Sequence, residues 1–154
     1  MDALYRLLSD RRTIRACQVV IGAIFATASL SKIGDIPAFA QQVHNFRLAP
    51  VWSENLIAMT LPWVELVAAL ALTLGIRPRS GALVVAVLMA GFTLGVGLAM
   101  IRGLDFECGC FGTGDHTKVG ALKLGENLAM LLVSVAALRR PAEAGRPAQA
   151  GRPT

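Results

Sequence analysis

The chain has 154 residues, of which 55% are hydrophobic and only 16% charged, with a mean hydropathy of +0.58. A soluble domain is roughly 45–50% apolar and about 25% charged, so a soluble globular enzyme and a disordered chain are both excluded. The net charge of +5 invites nucleic-acid binding, but that function needs a basic face with reading elements, and the placement of the charges has another explanation.

In chain order the residues predict an all-α fold, a polytopic membrane four-helix bundle. The expected spans lie at about 14–32, 55–76, 80–101 and 119–138, within one domain over 14–138. Residues 1–13 form a cytoplasmic segment and 139–154 a disordered, Pro/Gly/Ala-rich cytoplasmic tail with Ala-Gly-Arg-Pro at 144–147 and again at 150–153. The first span is the weakest, because only the 16 residues Ala16 to Ser31 are free of charge, against the ~20 a bilayer asks for. Arg15 and Lys32 at its ends extend its reach by snorkelling. Arg11, Arg12 and Arg15 before an apolar run, followed by Ala26-Thr27-Ala28, also resemble a cleavable signal. The run continues past that site and three further spans follow, so an uncleaved first helix is expected.

Ile36 to Leu48 then reads as a short interfacial helix in the first outer loop. Phe39, Val43 and Phe46 form its apolar stripe, Gln41, Gln42, His44 and Asn45 lie elsewhere, and Pro37 sits in the first turn. The second span contains one acid, Glu65, near its middle, with Pro62 three residues earlier. The third span, Ser80 to Ile101, has no charge, and its Gly91-Phe-Thr-Leu-Gly95 is a small-xxx-small motif suited to close helix contact. The last carries Lys123 and Glu126 on one face, with Asn127 beside them.

Basic residues remain on the cytoplasmic side of a membrane. The N-terminal segment, the loop with Arg77 and Arg79, and the tail hold ten basic residues and three acids, a charge of +7; loops 33–54 and 102–118 with their flanking residues sum to −1. Both termini are therefore expected in the cytoplasm and the two longer loops outside it.

Three cysteines are present. Cys17, at the cytoplasmic end of the first span, reads as a small buried hydrophobe. Cys108 and Cys110 lie in Glu107-Cys-Gly-Cys-Phe-Gly112, in a loop expected to face an oxidising compartment where disulfides persist. Gly109 supplies the freedom to close a small ring. So short a loop removes little chain entropy, which makes the bond a poor staple and suggests a labile redox pair. Two other readings stay open. One is a Cys2His2 metal site with His116 and His44, although C-x-C is tighter than zinc spacing usually is. The other is a turn whose cysteines remain thiols or merely cross-link.

These residues also carry a family resemblance. Gly22-Ala-Ile-Phe25, Ser31-Lys32-Ile-Gly, Phe39-Ala-Gln-Gln-Val43, Leu61-Pro-Trp-Val-Glu-Leu66, Cys108-Gly-Cys-Phe-Gly112 and Glu126-Asn127 together resemble the MauE branch of the DoxX-like membrane proteins. The resemblance covers roughly residues 14–138, and the Cys-Gly-Cys-Phe-Gly stretch is its most specific element. It implies a four-helix bacterial inner-membrane protein associated with periplasmic redox work. The namesake is linked to methylamine utilisation, where it is thought to help process or mature the disulfide-rich small subunit of methylamine dehydrogenase.

The functional expectation is an inner-membrane, redox-associated accessory protein that supports periplasmic disulfide formation or client maturation. Cys108 and Cys110 would be the redox pair, supported by Gly109, Phe111, Gly112, Lys32, Glu65, Lys123, Glu126 and Asn127. Glu65 is expected to pair with Lys32 or Lys123 beneath the outer loop. That polar seam serves either to orient the bundle or as a proton relay or quinone-side site for the cysteines. Partners would be membrane lipid and a periplasmic thioredoxin-like protein or disulfide-containing client. No second cysteine pair completes a relay, since Cys17 stands alone on the opposite side, so an electron acceptor would have to be bound. A quinone is the candidate, and no cofactor or metal is assigned by the residues themselves. A non-enzymatic scaffold or assembly factor for a redox complex is the alternative; a transporter finds little support in four short helices without repeats.

Overall fold

The computed structural model describes residues 11–108 and 118–138. Among them are five helices: α1 (Arg11–Gly34), α2 (Ile36–Phe46), α3 (Val51–Leu74), α4 (Pro78–Ile101) and α5 (Ala121–Ala137). No strand is found among the described residues beyond an isolated antiparallel bridge between Glu107 and Lys118. Residues 1–10 and 139–154, together with Gly109, Cys110, Phe111, Gly112 and His116, lie outside the described residues, whereas residues 11–13 of the expected N-terminal segment belong to α1.

Helix limits follow local chemistry more closely than the apolar runs do. The Asp35 side chain accepts a hydrogen bond from Ala38 N at 3.0 Å and so caps α2, with Pro37 in the first turn where its missing N–H costs nothing. The helix ends at Phe46 rather than Leu48, because Arg47 turns left-handed at φ 50°. Helix α3 starts directly after Pro50, four residues before the expected Asn55, which brings Glu54 into its first turn. A carboxylate is favoured there by the helix dipole. It stops at Gly75, whose φ of 76° is left-handed and suits a glycine. Pro62 lies within α3 without ending it.

Three helices are long and apolar enough to cross a membrane: Arg12–Gly34, Val51–Leu74 and Pro78–Ile101. The fourth expected span is shorter than anticipated, 17 residues in α5 rather than the 20 of Val119–Leu138. Val119 is drawn out of the helix because its N–H donates to Phe106 O at 2.9 Å.

Helix α1 packs on α3, α3 on α4 and α4 on α5, while α5 returns to α1 and α2 lies mainly against α3. Their shared interior is made of Ile21 and Phe25 of α1, Ala68, Ala69 and Leu72 of α3, Ala82, Val85 and Met89 of α4, and Ala137 of α5. Alanines and glycines let the backbones approach. A Cβ on Gly22 would stand 2.4 Å from Thr73 Oγ1 and 2.9 Å from Ala69 O, so α1 meets α3 at a glycine. Arg15 donates to Leu72 O at 2.7 Å and Thr73 O at 2.8 Å, which satisfies terminal carbonyls of α3. Gln18 ties α1 to Ala137 O at 3.1 Å. Outward faces are apolar: Val20, Leu30, Trp63, Val67, Val87, Leu94, Leu122 and Leu132 are exposed.

Candidate functional site

Lys32, in the last turn of α1, meets Glu65 of α3 through two bonds of 2.9 Å, one to each carboxylate oxygen. Both side chains are enclosed, at 1% and 0% exposure. The ammonium also lies over the Phe39 ring at 5.1 Å and the Phe92 ring at 5.0 Å, within the reach of a cation–π contact. Of the two partners expected for Glu65, then, Lys32 makes the pair. Lys123 is bonded at 3.1 Å to Glu126, three residues on. Lys123 and Asn127 are buried, and Glu126 is more open.

Beside this seam the chain at the end of α2 and the chain after α4 are tied together. Phe46 and Phe106 meet edge to face at 4.8 Å, and Arg102 donates to Arg47 O at 3.1 Å. The Glu107–Lys118 bridge and the 3.1 Å Lys118–Asp105 pair clamp the two described ends of the cysteine loop. Cys108 therefore leaves α4's end through a fixed stem. It is 2% exposed and packs with Val96, flanked by Phe46, Phe92, Met100, Val119 and Leu124. Cys108 is disulfide-bonded, whereas Cys17, half-buried, is a free thiol. His44 of the competing metal reading bonds Glu54 through Nδ1 at 2.9 Å and fastens α2 to α3.

Between α2, α3 and α4, directly against Cys108, lies a cavity of about 160 Å³. Phe39, Gln42, Phe46, Leu61, Phe92 and Cys108 are on its walls, with Gly91 and Gly95 beside them. Three of these residues correct the sequence reading. Gln42, assigned to the polar side of α2, is buried, and its Oε1 has no hydrogen-bond partner. Its spacing of three from Phe39 and four from Phe46 was the available signal, since such positions share a helix face. Gly91 and Gly95 do not bring a neighbouring backbone close: a Cβ on Gly91 would meet nothing within 4 Å, and one on Gly95 only side-chain atoms of Leu48 and Phe46 at 3.6 Å. The small-xxx-small motif thus borders open space at Gly91 and side chains of Phe46 and Leu48 at Gly95. No sequence signal reveals that, because whether a small residue admits a neighbour or leaves a gap depends on what packs opposite.

An apolar helical protein with a buried ion pair and a disulfide-bonded cysteine at the root of a loop is the class these features define. Residues 10–140 match the family described as methylamine utilisation protein MauE, and the chain belongs to that family. It is 33% identical over 112 residues to the methylamine utilization protein MauE of Methylorubrum extorquens, covering 72% of this chain and 60% of that protein. Proteins of the same name from Paracoccus denitrificans and Paracoccus versutus are 31% and 33% identical over 124 and 133 residues. Those matches cover 79% and 84% of this chain and 66% and 72% of the relatives. No solved structure matches the chain.

Proposed function

We propose that the protein is a bacterial inner-membrane accessory factor of disulfide chemistry, in which Cys108 and Cys110 alternate between dithiol and disulfide on the periplasmic side. The observation that carries this reading is Cys108 itself. It is disulfide-bonded, Cys17 is free, and the chain has three cysteines, which supports Cys110 as the partner. With four crossings, the +7/−1 charge division supports both termini in the cytoplasm. Leu122, Leu128, Leu132 and Val135, exposed along α5, support α5 as the fourth crossing, and α2 would lie at the outer interface. The relatives' printed role, methylamine utilisation, makes a disulfide-bearing client of that process the favoured substrate.

Exchange proceeds when a client or thioredoxin-like thiolate attacks one sulfur and releases the other. At 2% exposure Cys108 is closed to a protein partner, so Cys110 is assigned the attacked position and Cys108 the resolving one. The test is trapping in cells. Cys108→Ala should accumulate a mixed disulfide through Cys110, and Cys110→Ala should trap far less. If neither variant traps a partner and both retain function, the redox reading fails and a non-enzymatic scaffold takes its place.

A further inference from the structure

We propose that the cavity beside Cys108 binds the ring of a membrane quinone, which oxidises the Cys108/Cys110 dithiol, with Gln42 as the hydrogen-bond acceptor for the quinol formed. This rests on the redox reading above and supplies the electron acceptor that reading lacks.

Three independent features of the cavity define the ligand. Its size, about 160 Å³, suits one ring, since an engineered apolar cavity of about 150 Å³ takes up benzene. Its lining is aromatic and aliphatic apart from Cys108 and Gln42, and Gln42 is nine-tenths buried with an orphaned Oε1. A buried acceptor without a donor costs about 1–3 kcal/mol, so a ligand carrying an O–H group is favoured there. A lipid acyl chain would leave that oxygen unsatisfied. Finally, Cys108 is part of the lining, where an acyl chain has no use for a cysteine and an oxidant does. Leu48 and Gly91 on the cavity lining are exposed, so a polyprenyl tail can leave toward lipid.

The reaction balances without a further reagent. Two S–H bonds break, the Cys108–Cys110 S–S bond forms, and two electrons and two protons pass to the ring. Both quinone carbonyls become hydroxyls. Gln42 can accept from a quinol hydroxyl through Oε1 and, with its amide turned, donate Nε2–H to a quinone carbonyl, so one residue anchors the ring in both redox states. Burial of Cys108 against the cavity then acquires a purpose, since it sets this cysteine beside the acceptor.

The experiment uses the full chain in lipid nanodiscs, reduced and kept without oxygen, with a short-tailed ubiquinone analogue as probe. Quinol formed, thiols lost and, separately, exchange with dithiothreitol are measured. One quinol should appear for each two thiols lost. Gly91→Leu, which fills the cavity, and Gln42→Leu, which removes the acceptor, should each lower the ratio of quinone oxidation to dithiothreitol exchange by about tenfold. Leu83→Ala, exposed on α4 away from the cavity, should leave it unchanged. Gln42→Leu should melt no lower than the parent. Dithiothreitol exchange without quinol formation, or equal ratios in the parent and both cavity variants, overturns the quinone site while sparing the redox pair. Absence of any dithiothreitol exchange overturns the redox reading and the inference with it.

Discussion

Neither Lys32 nor Glu65 can be replaced alone without stranding the other. Both are enclosed, each satisfies the other through two 2.9 Å bonds, and removing one leaves an uncompensated buried charge, a loss of about 3–5 kcal/mol. Lys32→Met and Glu65→Gln should therefore each lower the thermal midpoint in detergent markedly, whereas Lys32→Met combined with Glu65→Leu should recover most of the loss. A double variant as unstable as the sum of the singles would show that the pair is not the relevant interaction. Arg47 is a second residue-scale case. Its φ of 50° is left-handed, a conformation that disfavours a side chain. Its contact with Arg102 runs through its own carbonyl, which a glycine keeps. Arg47→Gly should raise stability by about 0.5–1 kcal/mol, read as a higher thermal midpoint.

Among the elements, two glycine positions play opposite parts. Gly22 admits α3 so closely that a Cβ would collide with Thr73 Oγ1 and the Ala69 carbonyl. Gly22→Val should force α1 and α3 apart and lower the yield of folded protein in membranes, with Gly91→Ala, which meets nothing, as the harmless counterpart; equal yields would contradict this packing. The periodic apolar stretches made helices α1, α3 and α4 legible, because a long apolar run is a strong signal whatever surrounds it. Their ends were less so: a charge count stops at Glu54, but the helix begins at Val51 because the chain chemistry of Pro50 decides it. Within the site, the buried charges Lys32, Glu65 and Lys123 were legible as costly groups needing partners. Which cation Glu65 takes depends on how α1 and α5 sit against α3, and no spacing along the chain encodes that. Gln42 was misplaced for a related reason. A polar residue on an otherwise apolar face reads as surface until a neighbouring helix closes over it.

For the whole molecule, charge placement and apolar surface give a consistent orientation. The exposed aliphatic faces of α1, α3, α4 and α5 need lipid to cover them, and the basic residues gather at one end of the proposed crossings. The proposed orientation would set Cys17 near the cytoplasm and the Cys108 loop in the opposite compartment. Differential alkylation in intact cells, read by mass spectrometry, distinguishes a Cys108–Cys110 disulfide outside the cytoplasm from unlinked thiols. Cys108 and Cys110 should be recovered as one disulfide that a membrane-impermeant reductant opens, while Cys17 is labelled as a thiol only by a permeant reagent. Recovery of Cys108 and Cys110 as unlinked thiols, or labelling of Cys17 by an impermeant reagent, would contradict the account.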